Sequence, residues 1–77
     1  MQRMKQVRAR TYRTVFDPAR IPEELNKIEA EKREEGYEVS RGGFGIVVVT
    51  FPDGELHYVP DGNTIAEIAF KYEGSAK

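Results

Sequence analysis

Apolar and polar residues change their period several times along the chain, and each period predicts an element. The longest apolar run is Gly42-Gly43-Phe44-Gly45-Ile46-Val47-Val48-Val49-Thr50-Phe51-Pro52-Asp53-Gly54. Its β-branched residues suit a pleated strand, because their χ1 freedom is already restricted. Phe44, Ile46 and Val48 alternate with Val47, Val49 and Phe51, so both faces of this strand are apolar and both need cover. Upstream, Gln6 to Phe16 alternates as a strand. It puts Val7, Ala9, Thr11 and Val15 on one face and Arg8, Arg10, Tyr12 and Thr14 on the other. Asp17-Pro18 turns the chain, because the residue before a proline avoids the α region. A helix is predicted from Pro22 to Glu35. Pro22 fits its first position, and Glu23 and Glu24 favour the positive end of its dipole. Ile21, Leu25 and Ile28 line its apolar face, with the stem of Lys32 extending it. Glu23–Lys27 and Glu29–Arg33 have i,i+4 spacing, and Gly36 suits the left-handed residue that ends a helix.

Tyr37 to Arg41 reads as a short strand. It joins the long run through a Gly42-Gly43 hairpin turn, or continues it as one bent strand with a bulge. Pro52-Asp53-Gly54 leads to another strand at Glu55–Val59, which Pro60-Asp61-Gly62 ends. Thr64 and Glu67 have capping-box spacing, and Ile65, Ile68, Ala69 and Tyr72 recur at helical intervals. These predict a final helix reaching Glu73, with Gly74 beyond it. The expected fold is α+β: a single small domain over residues 1 to 77 in the order β-α-β-β-β-α. It would hold an antiparallel sheet of three or four strands with two helices, and mobile ends at residues 1 to 5 and 75 to 77. So short a chain buries a modest core, and the doubly apolar central strand makes a homodimer through the sheet an expected arrangement.

Composition narrows the chemistry. The 77 residues include no cysteine, which excludes disulfides, thiolate metal sites and cysteine nucleophiles and fits a reducing, cytoplasmic setting. No apolar stretch is long enough for a membrane helix, and no apolar segment follows the basic N-terminus as in a secretory signal. Twelve basic residues nearly balance thirteen acidic ones, but unevenly. Before Ile21 stand Arg3, Lys5, Arg8, Arg10, Arg13 and Arg20 against Asp17 alone.

The candidate binding set is therefore Arg8, Arg10, Tyr12 and Arg13 on the first strand, with Arg41 near. Guanidinium groups hold phosphates in two-pronged fashion, and a tyrosine stacks on an unpaired base. The same strip docks equally well on an acidic protein surface, and on an edge strand such charges also block aggregation. A protein is the first expected partner and nucleic acid the second. The glycines at 42, 43 and 45 precede a strand, whereas phosphate loops open a helix. His57 is the only histidine; it lacks companions for a metal site, and Glu55 is the nearest carboxylate that could orient it as a base. No metal and no cofactor are expected. Glu31, Glu34, Glu35 and Glu38 gather at the end of the first helix, where Glu34 and Glu35 oppose the dipole and call for a cationic neighbour.

The first helix, Glu35-Gly36-Tyr37-Glu38-Val39-Ser40-Arg41, then Pro52-Asp53-Gly54, Val59-Pro60 and Thr64-Ile65 with Ile68, is similar in outline to the HicA-like toxins. Those are small ribonucleases with an α-β-β-β-α, double-stranded-RNA-binding-like fold. Their functional signature is a Gly-Ser-His on the strand after the Gly-aromatic motif. Here Gly42-Gly43-Phe44 stands in its place, so their catalytic histidine has no counterpart. The functional expectation is a non-enzymatic binding module, a regulator or inhibitor acting by occupancy. By analogy it resembles a phage-encoded inhibitor of a nucleic-acid-handling complex. Nucleic-acid binding, or a HicA-like ribonuclease using His57, is the alternative.

Overall fold

The structure is a computed structural model that describes residues 3 to 73. β1 (Met4–Thr14) leads through a 3₁₀ turn at Pro18–Arg20 into α1 (Ile21–Glu34). Four strands follow: β2 (Glu38–Arg41), β3 (Val47–Phe51), β4 (Gly54–Asp61) and β5 (Thr64–Tyr72). They form one antiparallel sheet in the order β1-β5-β4-β3-β2. Three successive hairpins build β2 to β5, and β1 returns beside β5 as one edge. The α+β class is as expected, but the sheet has five strands and the described residues hold one α-helix, in the order β-α-β-β-β-β.

The predicted final helix is the main correction. Residues 64 to 72 form a strand paired on both sides, with β4 and with β1. Thr-Ile-Ala-Glu-Ile-Ala-Phe-Lys-Tyr satisfies two periods at once, and its β-branched and aromatic residues favour the pleated one. The deciding feature lies just upstream. Gly62 has φ +64°, and Gly62-Asn63 forms a two-residue hairpin loop that sends the chain straight back along β4. Glu67, read as a capping residue, is instead a buried carboxylate. Met4 and Lys5, expected among the mobile N-terminal residues, pair in β1 with Tyr72 and Lys71. Residues 1, 2 and 74 to 77 lie outside the described residues, and with them the expected C-terminal tail and Gly74.

α1 forms as the sequence predicts. Asp17 accepts from the Ala19 amide and caps the entry turn. At the other end the Tyr37 amide donates to Lys32 and the Gly36 amide to Arg33, the paired bonds of a Schellman ending. Ile21, Leu25 and Ile28 are buried against Val15, Val47, Val49, Tyr58 and Ile65. The expected Glu29–Arg33 pair is present at 2.7 Å, whereas Lys27 pairs with Glu24 and Glu23 with Arg20.

Two details reshape the predicted strands. β1 carries irregularities between Gln6 and Arg8 and between Thr11 and Arg13. A bulge resets the alternation, so Arg8, Arg10 and Arg13 oppose Ala69, Glu67 and Ile65 and lie on the helix side of the sheet. The β2–β3 hairpin exists, but its connection runs through Gly43–Gly45 as a 3₁₀ turn, and β3 starts only at Val47. Phe44, placed in the strand by its apolar neighbours, sits on that loop.

Gly54 fixes the far end of the β4–β5 pair. A Cβ there would lie 2.1 Å from the Phe70 carbonyl oxygen, an overlap with backbone that no rotamer relieves. Gly54→Ala should cost about 1–3 kcal/mol, the usual penalty of overpacking. Gly43→Ala, with nothing within 4 Å of the added Cβ, should be near neutral. Urea unfolding of the two variants provides the comparison.

Candidate functional site

Of the five residues picked from sequence, the structure brings Arg10 and Arg13 over the Tyr12 ring, at 5.8 and 5.5 Å from its centroid, and sets Arg41 apart. Arg10 Nε lies 2.7 Å from the buried Glu67 carboxylate. Arg13 bridges to α1 through Glu24 at 3.0 Å and Glu31 at 3.2 Å, whereas Glu35, one of the two acids expected to need a cation, pairs with Lys32 of its own helix at 3.7 Å. Tyr12 packs edge-on against Tyr58, with ring centroids 4.8 Å apart. Arg41 stands on β2, at the opposite edge of the sheet, and pairs with Glu29 at 2.8 Å. Arg8 makes no ion pair among the described residues, and the same holds for Lys5 and Lys71, which face each other directly across β1 and β5. Like charges directly opposite repel, so this corner is the part of the basic strand with charge to spare.

Arg10 reaches a polar centre in the core. Glu67 is 6% exposed and accepts from Arg10 and, at 2.6 Å, from the Tyr58 hydroxyl. Burial raises its pKa, but the hydrogen bonds from Arg10 and Tyr58 outweigh it and hold the carboxyl below the usual range. Burial and the same carboxylate push the Tyr58 phenol up. The Lys32 ammonium lies within 6 Å of the Tyr12, Tyr37 and Tyr58 rings, so a lysine predicted to lend only its stem also contributes its charge to the aromatic cluster.

The β2–β3 loop is built differently. Phe44 is fully exposed and has φ +59°, the left-handed region that costs an L-residue about 1–2 kcal/mol. The loop is nonetheless well tied. The Gly42 amide donates to Ile46, Gly45 to Gly42, and Ile46 to Gly43. Arg41 closes it by donating from Nε and Nη2 to the Gly45 carbonyl at 3.1 and 2.6 Å, while its Nη1 reaches Asn26 and Glu29 on α1. Arg41, chosen from sequence as a binding residue, thus holds the loop against the helix. Phe16 is also almost fully exposed, just past the end of β1. Both phenylalanines lie at the end of the sheet where β3 and β5 begin. Sequence reasoning missed Phe44 because it continues an apolar run; the signal available was the glycine on each side of it.

On the helix-free side, His57 Nε2 lies 2.8 Å from Glu55 Oε1, and the Tyr72 hydroxyl donates to Glu55 Oε2 at 2.9 Å. The His57 bond lowers the Glu55 pKa, against its desolvation and helped by Tyr72. The His57 ring packs on Phe70 at 4.5 Å. Among the described residues no group of three or more His, Asp or Glu is placed to hold a metal ion, and no helix is long and apolar enough to cross a membrane.

Comparison with protein-family models, curated proteins and solved structures returns no match. The likeness to HicA-like toxins is one of outline only. β5 occupies the place of their last helix, and the Gly-Ser-His position holds the Phe44 loop.

The Glu67 centre gives a direct test. Its depressed pKa means a contribution to stability that is fully present above the unfolded value of about 4.3 and lost as pH falls through the lower folded value. Glu67→Gln should flatten the acid limb of melting temperature against pH. Tyr58→Phe, which leaves one buried carboxylate oxygen short of its donor, should cost about 1–3 kcal/mol near neutral pH. An acid limb unchanged in Glu67→Gln would show that other carboxylates carry it.

Proposed function

We propose that this chain is a non-enzymatic protein-binding module, a small regulator or inhibitor that acts by occupying a macromolecular partner with Phe44 as its anchor. The reading rests on one observation: a fully exposed phenylalanine at φ +59° on a loop pinned by Arg41. An exposed aromatic side chain is an ordinary liability in water, and a left-handed backbone adds strain. Such features persist where they serve a purpose beyond stability. Aromatic anchors entering a partner's pocket dominate interface energies, and a pre-ordered loop reduces the entropy lost on docking. The internal pairing of Arg10, Arg13 and Arg41 favours a protein over nucleic acid, because those charges are already balanced. A cysteine-free chain of this kind suits the reducing cytoplasm.

Phe44→Gly separates function from folding. Glycine accepts φ +59° without strain, so the melting temperature should hold or rise. A partner retained from host lysate by the parent chain should be lost by the variant. Retention by Phe44→Gly equal to that of the parent would sink the anchor reading.

A second reading, nucleic-acid binding, is favoured by Lys5, Arg8 and Lys71 at one corner of the helix side; RNA cleavage dependent on His57 would use the opposite face, where His57 meets Glu55. It predicts an affinity for RNA that falls steeply with salt through counterion release, and hydrolysis abolished by His57→Ala in a folded protein. Absence of binding at low salt eliminates it.

A further inference from the structure

We propose that the corner of the sheet left bare on the helix side receives an amphipathic helix from a partner protein. Its apolar stripe would lie in the groove there, and its flanking carboxylates would meet Lys5, Arg8 and Lys71. This surface is at the opposite end of the sheet from Phe44, so the proposal does not depend on the anchor reading. Val7, Phe51, Leu56 and Ala69 give the groove, of about 340 Å³, its apolar lining. Val7 is 54% exposed on the edge strand. On the other side Tyr37, 43% exposed, stands edge-on to Phe51.

α1 identifies the occupant, because it shows what this side of the sheet accepts. Its apolar stripe of Ile21, Leu25 and Ile28 lies on the strands. Its carboxylates take strand cations, Glu24 and Glu31 holding Arg13 and Glu29 holding Arg41. Past the end of α1 the strands repeat this combination without its complement. Lys5 and Lys71 face each other across β1 and β5, and Arg8 stands on the same side opposite Ala69. All three are exposed, and none forms an ion pair among the described residues. Like charges directly opposite repel, and a carboxylate placed between Lys5 and Lys71 relieves that repulsion. The acids nearby do not balance these cations. Asp53 at the lip of the groove and Glu73, two residues from Lys71, also make no ion pair among the described residues, and both Glu55 oxygens are taken by His57 and Tyr72. The groove is open to solvent, which suits a helix that buries one stripe and keeps a polar back in water. Val7, Leu56 and Ala69 make the lining mostly aliphatic, which suits leucine or isoleucine, whereas unpaired bases stack on aromatic faces.

Fluorescence anisotropy with two labelled synthetic helical peptides tests this. Both carry leucine at i, i+3, i+4 and i+7; one has glutamate on the flanks of that stripe and the other lysine. The full chain should bind the glutamate peptide about tenfold more tightly than the lysine peptide, and the double variant Lys5→Glu, Lys71→Glu should reverse that order. Both positions are exposed, so the double variant should keep the parent's circular dichroism. Val7→Ser should weaken the glutamate peptide about fivefold by removing apolar contact without changing the charge. Phe44→Gly should bind it as the parent does. Equal affinity for the two peptides, or none for either, overturns the proposal. So does an affinity that Val7→Ser leaves unchanged, because attraction between charges alone needs no groove, and so does a loss in Phe44→Gly. Single-stranded RNA bound by the parent and released by the double variant, with neither peptide bound, overturns it in favour of nucleic acid at this corner.

Discussion

α1 has 14 residues and at 1.5 Å per residue spans about 21 Å. β1 has 11 residues and at 3.3 Å per residue spans about 36 Å. One helix therefore cannot cover even one face of this sheet, and none of the described residues covers the other. This mismatch orders the rest of the molecule. The fully buried side chains gather under α1, where Ile28 meets Val47, Val49 and Tyr58. Beyond the reach of the helix, Val7, Phe51, Leu56, Ala69 and Lys71 line an open groove of about 340 Å³. Lys5, Arg8 and Lys71, which make no ion pair among the described residues, collect at that uncovered end.

Where the helix does cover the sheet, polar groups are drawn into the core and matched. Glu67 sits on a strand with neighbours on both sides and takes donors from each, Arg10 on β1 and Tyr58 on β4. A buried carboxylate left unpaired is costly, so this arrangement penalises any shift in β1–β5 register that removes Arg10. The two irregularities in β1 serve the same end. They bring Arg10 opposite Glu67 and Arg13 within reach of α1. A strip of arginines that looks like a binding surface in sequence thereby becomes a row of structural contacts between edge strand, central strand and helix.

Among the side chains left without partners in the described residues are the exposed Phe16 and Phe44 and the cations Lys5, Arg8 and Lys71. Arg41 fastens the Phe44 loop to α1, and the Tyr72–Glu55–His57 chain satisfies its own polar groups on the open face. The exposed Phe44 side chain and the helix-free sheet face are different surfaces, one at the end and one on the side of the molecule. The loop is held by backbone bonds and by Arg41 independently of anything bound to the sheet.

The sequence alone determined much of the local structure. The Asp17-Pro18 entry, the apolar stripe of α1, its ending at Gly36 and the Pro52-Asp53-Gly54 turn all follow from bonds and periods within a few residues. The pairing of His57 with Glu55 was also readable, because strand alternation puts residues two apart on one face. Tertiary structure decided whatever depended on distant partners. Residues 64 to 72 fit a helix and a strand equally well by pattern, and pairing with β4 and β1 selected the strand. The roles of Arg10, Arg13 and Arg41 depended on Glu67, Glu24, Glu31 and Glu29. Glu24 and Glu29 lie 11 and 12 residues from the arginines they bind, and Glu31 and Glu67 lie 18 and 57 away; no local period reports such contacts. Phe44 lay in an apolar run, and its exposure became visible only when the glycines beside it folded into a loop rather than a strand.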